Sequence, residues 1–501
     1  MNNTPRPGAS RAHAHKRARA HLLLLVSLFT ALSPFLSGCG AHRKPNLERI
    51  FAAARQQTGK RPVIVIPGIL GTELVNSETG EKVWPSIFRS SNDGLELPLG
   101  ANLAANRDKL VPKNIVTTLR LSRLVPEVYI YHDLLGALKK YGGYREGDWE
   151  NPATDGDRDT FYVFAYDWRR DNVETARLLV RRIAELKRRL GRADLRFNII
   201  AHSMGGLIAR YAARYGDADL PADGAQLKPT WAGASYINKI FMFGTPNEGS
   251  MDAFATLLEG YSLTEGLRRR LYLLNTLSRE AAITVPSIFQ LLPHGETARF
   301  LDENLQPLKI DIYDPEAWRR YNWSPYSDAD FRKRKVYDEE KYARSKRGAA
   351  EDLEGYFRAV LNRARRFHEA LDVEVDGETP VALYAFGGDC EETLNAPVLL
   401  RDEKRNRWIT LTGPRSYNTS TGRRMTRKEV TEAMYLPGDG RVTRRSLLAE
   451  TLAANRRTTS LFNAGLPITY AVFSCDLHGD IQNNLTLQDN ALTALVSEAM
   501  K

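Results

Sequence analysis

The residues of this chain whose types and spacing can do chemistry begin with Ala201-His202-Ser203-Met204-Gly205-Gly206. A serine with small residues two places before it and two after suits a sharp strand-to-helix turn, where the serine backbone is strained and the flanking chain passes close by. A serine hydroxyl is a poor nucleophile until an adjacent base takes its proton, and that base needs a carboxylate to fix its tautomer. His478 is the sole histidine after His368 and follows the last apolar run of the chain. His368 falls in a charged helical stretch and is expected on the surface. Two carboxylates are candidates for the acid: Asp389 at the end of an apolar run, and Asp439 between Gly438 and Gly440. Asp476 is too close to His478 in sequence to orient it from the far side. The plain alternative for Ser203 is a helix cap.

The elements that must position these groups are legible as changes of period. Phe197, Ile199 and Ile200 form a short apolar run suited to a buried strand, and Leu207, Ile208, Tyr211, Ala212 and Tyr215 then recur at helical spacing up to Gly216. Strands are expected at 63–66, 161–165, 237–243, 381–387 and 468–473, with helices at 132–140, 173–190, 445–453 and 485–499. This alternation of strand and helix implies a parallel sheet with helices on both faces. Residues 75–127 read as turn-rich. After Asn247 the alternation stops; helices are suggested around Phe254 to Leu274 and a long charged one from 339 to 371, so 251–375 is expected to be a large, mainly helical cap. Trp408 to Leu411 suggests an added hairpin. The arginines and lysines of 173–190 gather opposite its apolar face and read first as solvated surface, second as a lipid-facing patch. The expected organisation is a leader at 1–39, a tether at 40–60, a core in two parts at 61–250 and 376–501, and the cap between them.

Sheet, elbow and the order serine, acid, histidine are those of an α/β-hydrolase. In that fold the loop after an early strand and the residue after the nucleophile each donate a backbone N–H to the oxyanion; here these are Ile69, after Pro67-Gly68, and Met204.

The 501 residues carry a formal net charge of +11 and are 43% hydrophobic, enough for a large core. Arg6, Arg11, Lys16, Arg17 and Arg19 precede the apolar run Leu22 to Leu36, which is short for a membrane span and is followed by Ser37-Gly38-Cys39. That segment resembles the signal and lipobox of bacterial lipoproteins, in which the cysteine is lipid-modified and becomes the first mature residue; Gly40 after it resembles export to the outer membrane. The expectation is a lipid-anchored protein of the cell envelope, periplasmic or surface-facing. Without the five cations before Cys39 the net charge falls to +6, which fits anionic lipid at least as well as nucleic acid, and no nucleic-acid module is apparent. Cys390 and Cys475 remain, either paired or as two free buried thiols. No cluster has convincing metal-ligand spacing, and neither a metal nor a cofactor is expected.

Taken in order, PVIVIPGILGTEL, YDWR, AHSMGG, FGTPNEGS, GDGRV and the late His478 resemble the lecithin:cholesterol acyltransferase family, which also contains lysosomal phospholipase A2. The resemblance runs from about Arg61 onwards. It implies acyl transfer or hydrolysis on phospholipid or another lipid ester through an acyl-serine, at a membrane. The family's acid lies in a G-D-G-T-V-P loop, so the resemblance favours Asp439 and keeps Asp389 in reserve; Arg441 and Thr443 depart from that pattern. It likewise implies Ile69 as an oxyanion donor. A general carboxylesterase, or a non-catalytic lipid-binding lipoprotein, are the alternatives.

Overall fold

Val63, Ile64, Val65 and Ile66 are all buried, because this strand, β1 (Val63–Ile66), lies between two hydrophobic cores, one on each face of a parallel sheet. The computed structural model describes residues 44–85, 94–119, 128–221, 225, 228–262, 275–295, 298–324, 346–374, 379–454 and 465–497. The leader and Cys39, the expected helical residues 263–274 and the first residues of the expected charged helix lie outside this set. The other strands of the central sheet are β2 (Arg145–Glu146), β3 (Thr160–Val163), β4 (Phe197–His202), β5 (Ile237–Phe243), β6 (Ala382–Gly388) and β7 (Ile468–Ser474). Their order is β7-β6-β5-β4-β1-β3-β2, and every pairing is parallel.

The helices that flank it are α1 (His132–Lys140), α2 (Asn172–Arg189), α3 (Met204–Tyr215) and the closing α6 (Leu485–Val496); between α3 and α6 come α4 (Met251–Glu259) and α5 (Lys346–Asp372). Alternating side chains of each strand face opposite sides. Ile64, Ile66, Ile199, Ile240 and Met242 pack with Val173, Val180 and Ile183 of α2 and Leu207, Ile208 and Tyr211 of α3. Val63, Val65, Ile200, Phe241, Phe243 and Phe386 pack with Leu134, Leu135 and Leu138 of α1 and Leu487, Leu492 and Leu495 of α6. This is the α/β-hydrolase arrangement expected from the sequence, with strand ends within two residues of those read from it. The expected helix 445–453 is two short ones, Arg444–Leu448 and Glu450–Ala454, separated by the left-handed Ala449.

Three expectations change. Residues 75–127 are not merely turns: Lys82–Trp84, Thr72–Asn76 and Leu110–Ile115 form an antiparallel sheet in that order. The outer strand 110–115 is half exposed, so no apolar run marks it. Among the described residues of 251–375 helix predominates, but this stretch does not build its strands alone. Strand Arg299–Leu301 pairs with Val398–Asp402 from the second core part, completing a four-stranded sheet with Pro307–Lys309 and Arg407–Leu411. Phe254, Phe300, Trp318 and Trp323 form an aromatic cluster in the cap, Phe254 and Trp323 being 4.8 Å apart.

His368, finally, is buried and not on the surface; it stacks on His294 at 4.1 Å. It lies on the apolar stripe of α5 with Tyr356, Val360, Leu361, Ala364, Phe367 and Leu371, while the helix's many cations occupy other faces, Arg363 meeting Asp171 and Asp219. The basic face of α2 is charge-compensated in much the same way. Arg177 meets Asp219 and Arg181 meets Asp217, both at 2.8 Å, Arg189 meets Glu150 at 3.0 Å, and the buried Lys187 donates to the carbonyl of Ser235.

Candidate active site

Ser203 stands at the junction of β4 and α3 with φ 53° and ψ −124°, a conformation that a residue with a side chain holds only under constraint from its surroundings. The constraint is visible. The Ser203 N–H donates to the carbonyl of Phe243 at 2.7 Å, and the Gly206 N–H donates back to the carbonyl of Ser203 at 3.0 Å. A Cβ on Gly205 would lie 2.7 Å from the Ile66 carbonyl oxygen, and one on Gly68 would lie 2.8 Å from the Cβ of Ser203. Ser203 occupies the helix N-cap position, yet its side chain makes no capping hydrogen bond. Its hydroxyl is turned elsewhere.

That hydroxyl meets the imidazole of His478, with Oγ to Nε2 2.9 Å. His478 sits just beyond β7, and its Nδ1 lies 2.9 Å from Oδ2 of Asp439. The Asp439 carboxylate is held from behind: Oδ1 accepts the N–H groups of Arg441 at 3.0 Å and Val442 at 2.7 Å, and the side chain is almost fully buried. The His478 N–H donates to the Asp439 carbonyl at 2.8 Å, so backbone and side chain both join the two turns. Gly244, at φ 58°, makes room for the pair; a Cβ there would lie 3.0 Å from His478 Nδ1 and 3.1 Å from Asp439 Oδ2. A histidine between a hydroxyl and a carboxylate can accept the first group's proton at Nε2 while the second holds the proton on Nδ1.

The structure thus brings Ser203, His478 and Asp439 together and leaves Asp389 exposed. Asp476 accepts from Asn484 and does not face the imidazole. Cys390, next to Asp389, forms a disulfide with Cys475, with Cα atoms 5.4 Å apart, which decides between pairing and free buried thiols. Asp389, Cys390 and Cys475 are also the only three potential metal ligands found close together among the described residues, and both sulfurs are consumed by the bridge.

The two amides expected to face an oxyanion, those of Ile69 and Met204, donate to no protein acceptor among the described residues. Met204 is the first residue of α3, where a helix leaves its N–H groups without internal partners. The preceding amide of the other loop, Gly68 N–H, is taken: it donates to the Tyr131 hydroxyl at 2.8 Å. Ser203, His478 and Ile69 open into a cavity walled mainly by Leu70, Trp84, Val116, Leu277, Ile288 and Leu291, with Arg441 and Asp252 as its charged members. Those two pair at 2.6 Å, and the Arg441 guanidinium lies 4.3 Å from the ring centroid of Tyr261.

Two residues near the centre were not singled out from the sequence. His202 is buried beside the serine, and burial, reinforced by the neighbouring His478, pushes its pKa down to about 3. Tyr131 lies between His202 and Gly68. Adjacency to Ser203 was the one available signal for His202; Tyr131 has none, because it stands 71 residues from His202 in sequence.

A model of the lecithin:cholesterol acyltransferase family matches residues 116–356, a segment that contains Ser203 and ends before Asp439 and His478. The chain is 23% identical over 260 residues to lecithin-cholesterol acyltransferase-like 4 of Arabidopsis thaliana, covering 46% of this chain and 42% of that protein, so it aligns with less than half the length of that relative. Among solved structures, the Tle4–Tli4 complex matches 89% of this chain and 100% of that chain with a TM-score of 0.50 at 17% identity, a likeness of fold. The propeptide form of the lipase BlEst2 of Bacillus licheniformis aligns with a TM-score of 0.32 at 12% identity, over 88% of this chain and 51% of that one, too distant to bear on function. The elbow lies inside the segment that resembles the lecithin:cholesterol acyltransferase family, just under half of the chain, and the sheet around it has the α/β-hydrolase arrangement.

Proposed function

We propose that this protein transfers acyl groups from lipid esters through an acyl-serine on Ser203, as an O-acyltransferase or a phospholipase working at a membrane surface. The observation that carries the reading is the 2.9 Å contact between Ser203 Oγ and His478 Nε2 with the Asp439 carboxylate behind the imidazole. His478 takes the hydroxyl proton as Oγ attacks the ester carbonyl. Ile69 and Met204 N–H groups stabilise the oxyanion, each worth about 10²–10³ in rate by precedent from a side-chain donor. His478 returns the proton to the departing alcohol or lysolipid, leaving the acyl group on Ser203. Water or a held alcohol then attacks, with the proton passing again to His478, and Ser203 is regenerated. The apolar walls around Ser203 suit an acyl chain. The choice between hydrolysis and transfer rests on whether an acceptor is held in place, since orientation is worth effective molarities of about 10⁵–10⁸ M.

The membrane side of the proposal rests on Cys39, lipid-modified and left as the first residue of the mature chain; among the described residues no helix is long and apolar enough to cross a membrane. Radiolabelled palmitate incorporated by cells expressing the wild type, and lost with Cys39→Ser, tests it. The chemistry is tested with a fluorophosphonate probe and with phosphatidylcholine vesicles compared with p-nitrophenyl butyrate. Labelling that Ser203→Ala abolishes, with faster turnover of vesicle lipid, supports the proposal. Turnover undiminished in Ser203→Ala rejects the serine, and preference for the soluble ester makes the protein a general carboxylesterase.

A further inference from the structure

Tyr131 and His202 join the two loops that flank Ser203. Gly68 N–H donates to the Tyr131 hydroxyl at 2.8 Å, that hydroxyl lies 2.8 Å from His202 Nδ1, and His202 Nε2 lies 3.0 Å from the backbone carbonyl oxygen of His478. All these contacts are buried. The direction of each follows from what the atoms can do. A carbonyl oxygen only accepts, so His202 carries its hydrogen on Nε2. The neutral ring has one N–H, so Nδ1 accepts, and its donor is the Tyr131 O–H. With that hydrogen committed, the Tyr131 oxygen accepts from Gly68. The three bonds therefore run head to tail, each polarising the next, and reversing any one of them breaks another.

The ends of this chain are the parts of the site that must not move. Gly68 belongs to the peptide that ends in the Ile69 N–H, and the carbonyl of His478 fixes the backbone of the base. Steric packing supports the same arrangement: a Cβ on Gly68 would lie 3.2 Å from His202 Nδ1, and the rings of His202 and His478 are 5.0 Å apart.

We propose that Tyr131 and His202 are positioning residues for acyl transfer, holding the oxyanion loop and the base in register with Ser203 through this hydrogen-bonded chain. The proposal rests on Ser203 being the nucleophile. His202 takes no proton from Ser203 or from the incoming water or alcohol in this role; the neighbouring imidazole of His478 does, and His202 stays neutral beside it.

The test is steady-state hydrolysis of p-nitrophenyl butyrate by the full chain, its Tyr131→Phe, His202→Asn and doubly substituted variants, and Ser203→Ala, with melting temperatures measured alongside. Inhibition by an alkyl trifluoromethyl ketone, whose carbonyl Ser203 Oγ adds to as its proton moves to His478, reads the oxyanion geometry. In Tyr131→Phe, kcat is expected to fall by about 10- to 100-fold with KM within about twofold, and inhibition to weaken in step with kcat/KM. The double variant is expected to be no slower than the slower single variant. A folded Tyr131→Phe with unchanged kcat overturns the proposal, as does a double variant whose losses multiply. If Tyr131→Phe does not fold, His202→Asn decides on the same criteria. Turnover retained by Ser203→Ala refutes the nucleophile itself, whereas an inactive Ser203→Ala beside a fully active Tyr131→Phe refutes only the positioning role.

Discussion

Oδ2 of Asp439 lies 2.9 Å from Nδ1 of His478, while Asp389, which ends the neighbouring strand in sequence, points to solvent. Replacing the carboxylate by an amide keeps the shape and removes the charge that fixes the imidazole tautomer. Asp439→Asn is therefore expected to lower kcat by about 10⁴-fold, the cost of the same replacement in a serine protease. Asp389→Asn is expected to stay within about twofold of wild type, since surface substitutions rarely matter. Ester turnover by the two variants checks the ranking.

Gly206 has no room for a methyl group. A Cβ there would lie 2.0 Å from Oγ1 and 2.8 Å from Cβ of Thr245. Thr245 is fully buried and cannot swing away, so Gly206→Ala displaces α3 from the sheet beside Ser203. A loss of about 1–3 kcal/mol in stability, the usual cost of overpacking, is expected from denaturant titration, together with reduced fluorophosphonate labelling.

Acid should weaken the fold before the carboxylates titrate. Burial holds His202 down to about 3 and His368 well below its ordinary value, the latter reinforced by His294. Below about pH 6.5 the unfolded chain protonates both rings while the folded chain does not, so stability falls with falling pH by about 1.4 kcal/mol per unit for each. His294 behaves oppositely: burial opposes its charge, but Asp372 at 3.0 Å outweighs that and raises its pKa. Its stabilisation is present below pH 6.5 and is lost as pH rises through the folded value, so it does not add to the acid loss. Urea unfolding between pH 6.5 and 5 is expected to show a slope of about two protons in wild type and about one in His368→Phe.

The disulfide joins the turn after β6 to the turn after β7, 85 residues apart. Cys475 is three residues before His478, and Glu391, beside Cys390, pairs with Gly438 next to Asp439. Removing the bridge frees both turns in the unfolded chain and loosens them in the folded one. Cys390→Ser with Cys475→Ser is expected to lower stability by about 2–4 kcal/mol. Reductant should shift the wild-type denaturation midpoint to that of the variant and leave the variant where it is.

By itself the sequence determined most of the central sheet, the elbow and the places along the chain of Ser203, His478 and two candidate carboxylates, Asp389 and Asp439. Strands buried on both faces appear as unbroken apolar runs, as at 63–66 and 237–243, and a strained turn needs small neighbours wherever it occurs. These are local requirements, so local sequence records them. Only the tertiary structure decided which of Asp389 and Asp439 faces the imidazole, that Cys390 meets Cys475, and that strand 398–402 crosses into the cap to pair with 299–301. It also decided that His368 is buried despite its charged neighbours, whose own partners lie on other elements, and that Tyr131 bridges Gly68 and His202. Each of these depends on distances between residues far apart in the chain, and such distances are set by how the layers pack, which no local period encodes.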